Sequence, residues 1–397
     1  MKKYLLSFTF ILFTFSVGFL SAIPKNKAVV GLYLTPLEKP LSFDLDKKTK
    51  NEVYSEKNSE CQFGGAFVWA DIIQGNKYVT AAGKIYYRLK SVKEGEEEQH
   101  KLDLKRAYVK VRPTGNDLFE VAAGKLYSYY LPGAFFNLAE HYTGKNRWGQ
   151  SGVGTKFELA GFTWGLAFPV PVKDSYVNIS DTFALAQGFS YDFSHLNEAL
   201  PLTAGLTFHE DFSDHNFSSD DFAFSASLYF TPDFTGFISK VKTFLSYSYN
   251  AEPYVASSVF KNVANYSKED LKKAHLISLN TLFSINKVAF VWECEAGHSV
   301  NGKFIPLYSG FQALIPLTEH IALKPRFFYY AAFDYSDFDC SRQTYELYPR
   351  LWLTFGKCNV SAGAIFSFMQ IGTDKKDASK SNWYFGWELP LYVEWKF

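Results

Sequence analysis

Residues 383–397 read WYFGWELPLYVEWKF, and the alternation inside this stretch decides the fold. Trp383, Phe385, Trp387, Leu389, Leu391, Val393, Trp395 and Phe397 are all apolar. Between them stand Tyr384, Gly386, Glu388, Pro390, Tyr392, Glu394 and Lys396, mostly polar or permissive. Successive side chains of a strand point to opposite faces, so one face here is apolar and the other wet. The apolar face runs longer than in an ordinary soluble strand and is dense in aromatic rings. A strand crossing an outer membrane needs about 9–11 residues, with lipid on one side and a lumen on the other.

The 397 residues could hold two or three soluble domains or one large barrel, since a closed sheet can use a whole chain. Composition favours the barrel. Aromatics make up 19%, with 40 Phe and 26 Tyr, yet mean hydropathy is only −0.13. A helical membrane protein would be far more apolar, whereas alternating lipid-facing and lumen-facing residues average out near neutral. A net charge of +1 leaves no global field, so no nucleic-acid partner is expected. The 4 Cys contain no CxxC pair and argue for neither a disulfide framework nor a zinc site. Cys61 and Cys340 both fall near the external rim, where a bridge and free thiols are alternatives; Cys358 falls near the opposite turn.

At the N-terminus Lys2 and Lys3 precede an apolar run, Tyr4 to Leu20, that ends Leu20-Ser21-Ala22. This predicts a signal peptide over 1–22 and an exported barrel over 23–397. A retained helix is the alternative, but the run is shorter than a comfortable span of about 20 residues.

Along the chain, strands are expected at 27–34, 62–73, 77–90, 101–112, 118–127, 151–159, 162–170, 182–193, 202–210, 220–230 and 241–250. Further strands follow at 273–285, 288–298, 307–315, 321–333, 343–355, 358–369 and 382–397. Short turns such as Asn286-Lys287 and Gly356-Lys357 interleave with longer polar loops such as 171–181 and 370–381. Outer-membrane barrels show this asymmetry, with short periplasmic turns and longer external loops. The fold expected is an all-β transmembrane antiparallel barrel of about 18 strands, with 16 as the alternative. On the strand at 77–90, Lys84 and Arg88 fall on the inward parity. Lys105 and Arg106 straddle an ambiguous parity, so only one of them is expected to line the lumen. Lys324, Arg326 and Arg350 are inward bases, and Glu293, Glu295, Glu346 and Glu388 inward acids.

Chemistry beyond a channel has little support. His209-Glu210-Asp211 with Asp214-His215 carries metal-ligand types, but it falls on a strand end and an external loop, where polar residues are common. Gly152-Val153-Gly154 lacks the strand–loop–helix context of a phosphate loop. No Ser/His/Asp or Cys/His set forms a recognisable motif. No enzyme, metal or cofactor is therefore expected.

The ending on Phe397 resembles the terminal aromatic signal of Gram-negative outer-membrane barrels, the strand recognised by the barrel-assembly machinery. Residues 105–170 resemble the general porins of those membranes. They carry Lys105-Arg106-Ala107-Tyr108-Val109, Gly124-Lys125-Leu126-Tyr127, Arg147-Trp148, Gly152 to Glu158 and Gly161-Phe162-Thr163-Trp164-Gly165 at the family's spacing. The richness in Phe, Tyr and Lys is also similar to porin-like proteins of spirochaetes. The resemblance implies a homotrimer and an inward-folded constriction loop after the fifth strand, which is 128–150 here. In the family that loop presents carboxylates to basic residues on the opposite wall. This segment offers Glu140 with His141, Lys145 and Arg147, a departure from the acidic norm. The expected pore constriction is thus Lys84, Arg88, Lys105, Arg106, Glu140, His141, Lys145 and Arg147.

The function expected is passive diffusion of small hydrophilic solutes and ions through a water-filled channel embedded in outer-membrane lipid. One alternative is a substrate-specific channel for sugars, with Tyr129, Tyr130, Phe135 and Phe136 as stacking rings, or for fatty acids, for which Leu37 to Asn58 is too polar a plug. The other is a surface adhesin or structural barrel with a filled lumen.

Overall fold

Alternation of the kind in 383–397 recurs in eighteen spans, which join into one closed antiparallel barrel. The computed structural model describes residues 25–35, 38–39, 62–90, 100–125, 151–170, 172–173, 176–177, 184–211, 222–234, 236–249, 273–299, 304–335, 340–371 and 382–396. The first nine spans are β1 (Lys25–Thr35), β2 (Gln62–Gly75), β3 (Val79–Lys90), β4 (His100–Val111), β5 (Phe119–Lys125), β6 (Ser151–Leu159), β7 (Phe162–Val170), β8 (Ala184–Asp192) and β9 (Leu202–Asp211). Next come β10 (Ala223–Phe230), β11 (Ile238–Tyr249), β12 (His275–Ile285), β13 (Val288–His298) and β14 (Phe304–Pro316). The last four are each split in two: β15 (Ile321–Leu323, Arg326–Asp334), β16 (Cys340–Tyr348, Arg350–Phe355), β17 (Cys358–Gly363, Ile365–Ile371) and β18 (Asn382–Glu388, Leu391–Lys396). Each span pairs with its chain neighbour, and β1 closes the sheet by pairing with both β2 and β18; Val30 lies opposite Val68 on one side and Trp395 on the other. Closure matters because a sheet edge facing lipid would leave backbone N–H and C=O groups without partners.

The ends of the barrel differ. Eight short connections, at 76–78, 112–118, 160–161, 193–201, 231–237, 286–287, 317–320 and 356–357, share one end with the start of β1 and the finish of β18. Local chemistry sets several of them. Asn76 Oδ1 accepts from the Tyr78 and Val79 N–H groups at 2.9 and 2.8 Å. Asn286 and Gly356 open two-residue turns with φ of 53° and 57°, the left-handed conformation that tight hairpins require. Connections at the other end fall mainly outside the described residues, among them 128–150 with Glu140, His141, Lys145 and Arg147, and so the constriction loop. Residues 1–22, Cys61, Asp214, His215 and Phe397 also lie outside them.

Burial is inverted relative to a soluble protein. On one parity Leu206, Leu228, Leu245, Ile277, Trp292, Phe311 and Phe327 are exposed, Ile277 to 53%. On the other parity Thr207, Ser227, Ser246, Ser278, Asn280, Glu293 and Glu295 are buried. Apolar residues therefore face outward and polar ones inward, the arrangement of a barrel surrounded by lipid. No helix among the described residues is long and apolar enough to cross a membrane.

The expected strands agree with the spans in number and place, with one physical correction. The run 382–397 is not one uninterrupted ladder, because Leu389 and Pro390 separate its two segments. Pro325, Pro349 and Ala364 break β15, β16 and β17. Proline has no N–H to give to the ladder. The carbonyls at the breaks still accept: Pro325 from Ala313, Pro349 from Ala364 and Pro390 from Gly363, at 3.1 to 3.2 Å. Alternation survives each break, with Phe385, Leu389 and Trp395 all exposed on the outer parity.

Candidate functional site

The inner face is where a solute would meet the protein, and it falls into three regions. The first lies on β4 to β6. Lys110, Tyr108 and Arg112 take the inward parity of β4, opposite in phase to exposed Val109 and Val111. Across the hairpin, the buried carboxylate of Glu120 receives Lys110 Nζ at 3.0 Å and Arg112 Nη2 at 2.7 Å. Arg112 Nε also reaches Asp117 at 3.2 Å, and Lys156 pairs with Glu158 at 2.7 Å. Lys110, Arg112 and Lys156 of this wall are each joined to a carboxylate.

The second region lies on β13 to β16 around the prolines. Lys324 and Arg326 flank Pro325, and Tyr348 and Arg350 flank Pro349, so alternation sends both neighbours of each proline inward. The outcome is a ladder of cations and rings. Arg326 lies 6.0 Å from the centre of the Tyr348 ring, and Arg350 lies 5.4 Å from the same ring. Arg350 lies 5.5 Å from Trp352, over which Lys324 sits at 3.8 Å. A cation over a ring face is attracted by its quadrupole, and the attraction grows as water is excluded. Glu293, Glu295 and Glu346 share this part of the wall; Tyr330 donates to Glu346 at 3.4 Å. Positive and negative groups thus lie on one inner surface.

The third region is the closing seam of β18, β1, β2 and β3. Glu394 accepts from Tyr392 Oη at 2.6 Å and Asn359 Nδ2 at 2.7 Å, and pairs with Lys396 at 2.9 Å. Thr354 Oγ1 donates to Asn359 Oδ1 at 3.0 Å. Lys84 sits 4.3 Å from the centre of the Trp69 ring, opposite Asp71 in register.

Of the residues expected at a constriction, Lys84 takes the inward parity of β3 as read from the pattern. Arg88 stands opposite Phe67 and Lys101 in backbone register. A bulge lies at the ambiguous pair next door: in backbone register Lys84 opposes Arg106, Ile85 opposes Leu104, and Lys105 is the extra residue. The alternation carried that signal, because the exposed apolar residues shift from Leu102 and Leu104 to Val109 and Val111. Glu120, Lys110, Arg112, Lys156 and Glu158 were missed by the sequence reading. Counting the hairpin outward from 113–117 would have set Lys110 against Glu120, close to the observed register in which Val111 meets Val121. Among the described residues there is no group of three or more His, Cys, Asp or Glu that could hold a metal. Cys294 and Cys358 are free thiols.

No family model matches this chain, and no curated protein matches it. Solved structures do. The outer membrane protein OpdK of Pseudomonas aeruginosa aligns with a TM-score of 0.55 at 11% identity, over 96% of this chain and 100% of that one. OccAB4 of Acinetobacter baumannii gives 0.54 at 11% identity, over 94% and 98%. OpdK solved with vanillate gives 0.56 at 11% identity, over 96% and 100%. At this identity the likeness is one of fold, and the fold is that of Gram-negative outer-membrane barrels.

Proposed function

We propose that the protein is an integral outer-membrane channel through which small hydrophilic solutes and ions diffuse passively. The observation that carries this is the inverted barrel: exposed leucine and aromatic rings outside, serine, glutamate and arginine inside. Such a wall keeps a water column polar along its length, and its charged side chains set which ions enter. No covalent step is needed. The expected constriction of Lys84, Arg88 and Lys105 or Arg106 against Glu140, His141, Lys145 and Arg147 belongs to this reading; cysteine accessibility across 128–150 tests it. Export through 1–22, assembly through the strand ending at Phe397 and a homotrimer of the general-porin kind belong to it as well. Single-channel recording in planar bilayers is the direct test. Discrete, ohmic conductance is expected, and its absence from correctly refolded protein would refute the channel.

A second reading, a channel selective for small organic anions, is favoured by the ladder of Lys324, Arg350 and Arg326 on Tyr348 and Trp352. Cations held against rings suit a solute with both a carboxylate and a flat apolar face, and vanillate, carried by the OpdK structure, is such a molecule. Liposome swelling with matched neutral and anionic solutes separates the two. Dependence on size alone supports the general channel, and preference for the anions supports the selective one.

A further inference from the structure

Four aromatic rings pave the inner side of the closing seam in a nearly flat run. Trp352 of β16 and Tyr392 of β18 lie 6.3 Å apart with planes 26° from parallel. Tyr392 and Phe67 of β2 follow at 5.9 Å and 22°, then Phe67 and Tyr86 of β3 at 5.9 Å and 20°. At these separations the near-parallel rings are offset from one another rather than eclipsed, and they form a continuous row along the wall. Gly31 makes room for the middle ring: a Cβ there would clash with the Cζ end of Phe67. A side chain on β1 at that point would lift Phe67 off the backbone and break the run.

An apolar pavement is out of place on the polar side of such a barrel, where water-filled walls carry polar residues. Its border is equally specific. Glu394, Asn359 and Thr354 occupy one register row with Gly31 and Phe67, and Glu394 is already bonded to Tyr392 at the edge of the pavement. Lys324 lies over Trp352 at one end and Lys396 pairs with Glu394 at the border, so an anion would meet cations at these edges but the Glu394 carboxylate beside Tyr392. A neutral polyol would instead find acceptors and donors at its rim, while its ring C–H groups meet the negative faces of the aromatics. The repeat of the tiles is of the same order as that of successive rings in a short oligosaccharide.

We propose that this pavement is a binding track for neutral polyhydroxylated ring compounds, sugars and short oligosaccharides, inside the channel. The inference rests on the channel reading and names a solute class for it. The experiment is maltotriose titration of single-channel current, with glucose and benzoate as comparisons, on the full-length protein refolded to the heat-modifiable barrel form. Reversible block by maltotriose is expected, stronger than by glucose. Phe67→Ala and Tyr392→Phe should separate the contributions: loss of the ring weakens block several-fold, whereas loss of the hydroxyl alone weakens it less. Phe67→Tyr, which keeps a ring over Gly31, should retain block. A conducting channel that maltotriose leaves unblocked, or one blocked equally in Phe67→Ala, overturns the track, as does block by benzoate alone. Trp352 fluorescence in detergent, with Trp352→Phe as the baseline, gives a readout that needs no current. A protein silent in the bilayer whose Trp352 signal still responds to maltotriose would refute the channel and keep the site.

Discussion

Two stretches of the inner wall hold their cations in different ways. On β4 to β6, Lys110 and Arg112 converge on one carboxylate, Glu120, whose side chain is only 6% exposed. On β15 and β16, Lys324, Arg326 and Arg350 rest against the rings of Tyr348 and Trp352. The first arrangement cancels charge locally and ties a hairpin together. The second holds its cations against ring faces on a wall that also carries Glu293, Glu295 and Glu346. On the channel reading proposed above, the first wall is expected to govern stability and the second selectivity.

Several measurements would break or sharpen that division. The largest effect is expected from Glu120→Ala, which removes the buried carboxylate shared by Lys110 and Arg112 and leaves Arg112 with Asp117. Breaking a buried pair in this way costs about 3–5 kcal/mol, to be read from denaturant unfolding in lipid vesicles. A cost no greater than that of a surface pair would show that Glu120 is not holding the hairpin. Next comes charge reversal on the other wall. Lys324→Glu with Arg350→Glu should shift the reversal potential in a salt gradient several-fold toward cations, while Lys156→Glu on the first wall moves it little. Equal shifts from both walls would erase the distinction. Trp352→Ala removes the ring 3.8 Å from Lys324. Its expected cost from lost cation–ring attraction is about 1 kcal/mol, with a smaller change in selectivity than either charge reversal. Smallest of all is Lys156→Ala, whose pair with Glu158 is partly exposed on both sides. About 0.5 kcal/mol or less is expected there, and a larger loss would mean that the pair belongs to the same buried unit as Glu120.

The two walls were also unequally legible. The inward parity of Lys324, Arg326, Arg350 and Lys84 follows from alternation alone, which prolines and turns do not reset. Glu120 escaped notice because its importance lies in a cross-hairpin meeting rather than in its own position. The same holds for Lys105 and Arg106. The local pattern is equivocal between them, and the pairing of Arg106 with Lys84 is a property of two strands together. The seam was least legible of all. Gly31 reads as an ordinary strand glycine until Phe67 and Tyr392 are known to be its neighbours.

What the sequence by itself determined is therefore the container: a barrel of about eighteen spans, with sixteen as the alternative, which face of each span meets lipid, and which end bears the short turns. These follow from backbone geometry of period two and from turn chemistry, both local in the chain. Tertiary structure alone decided which inward residues meet. Register across hydrogen-bonded strands, one bulge and a line of prolines set the two walls apart. Closure of β1 onto β18 then brought Phe67 and Tyr392, from opposite ends of the chain, to 5.9 Å from each other. Alternation sets the face a side chain occupies, whereas its neighbours on that face depend on how distant strands are joined.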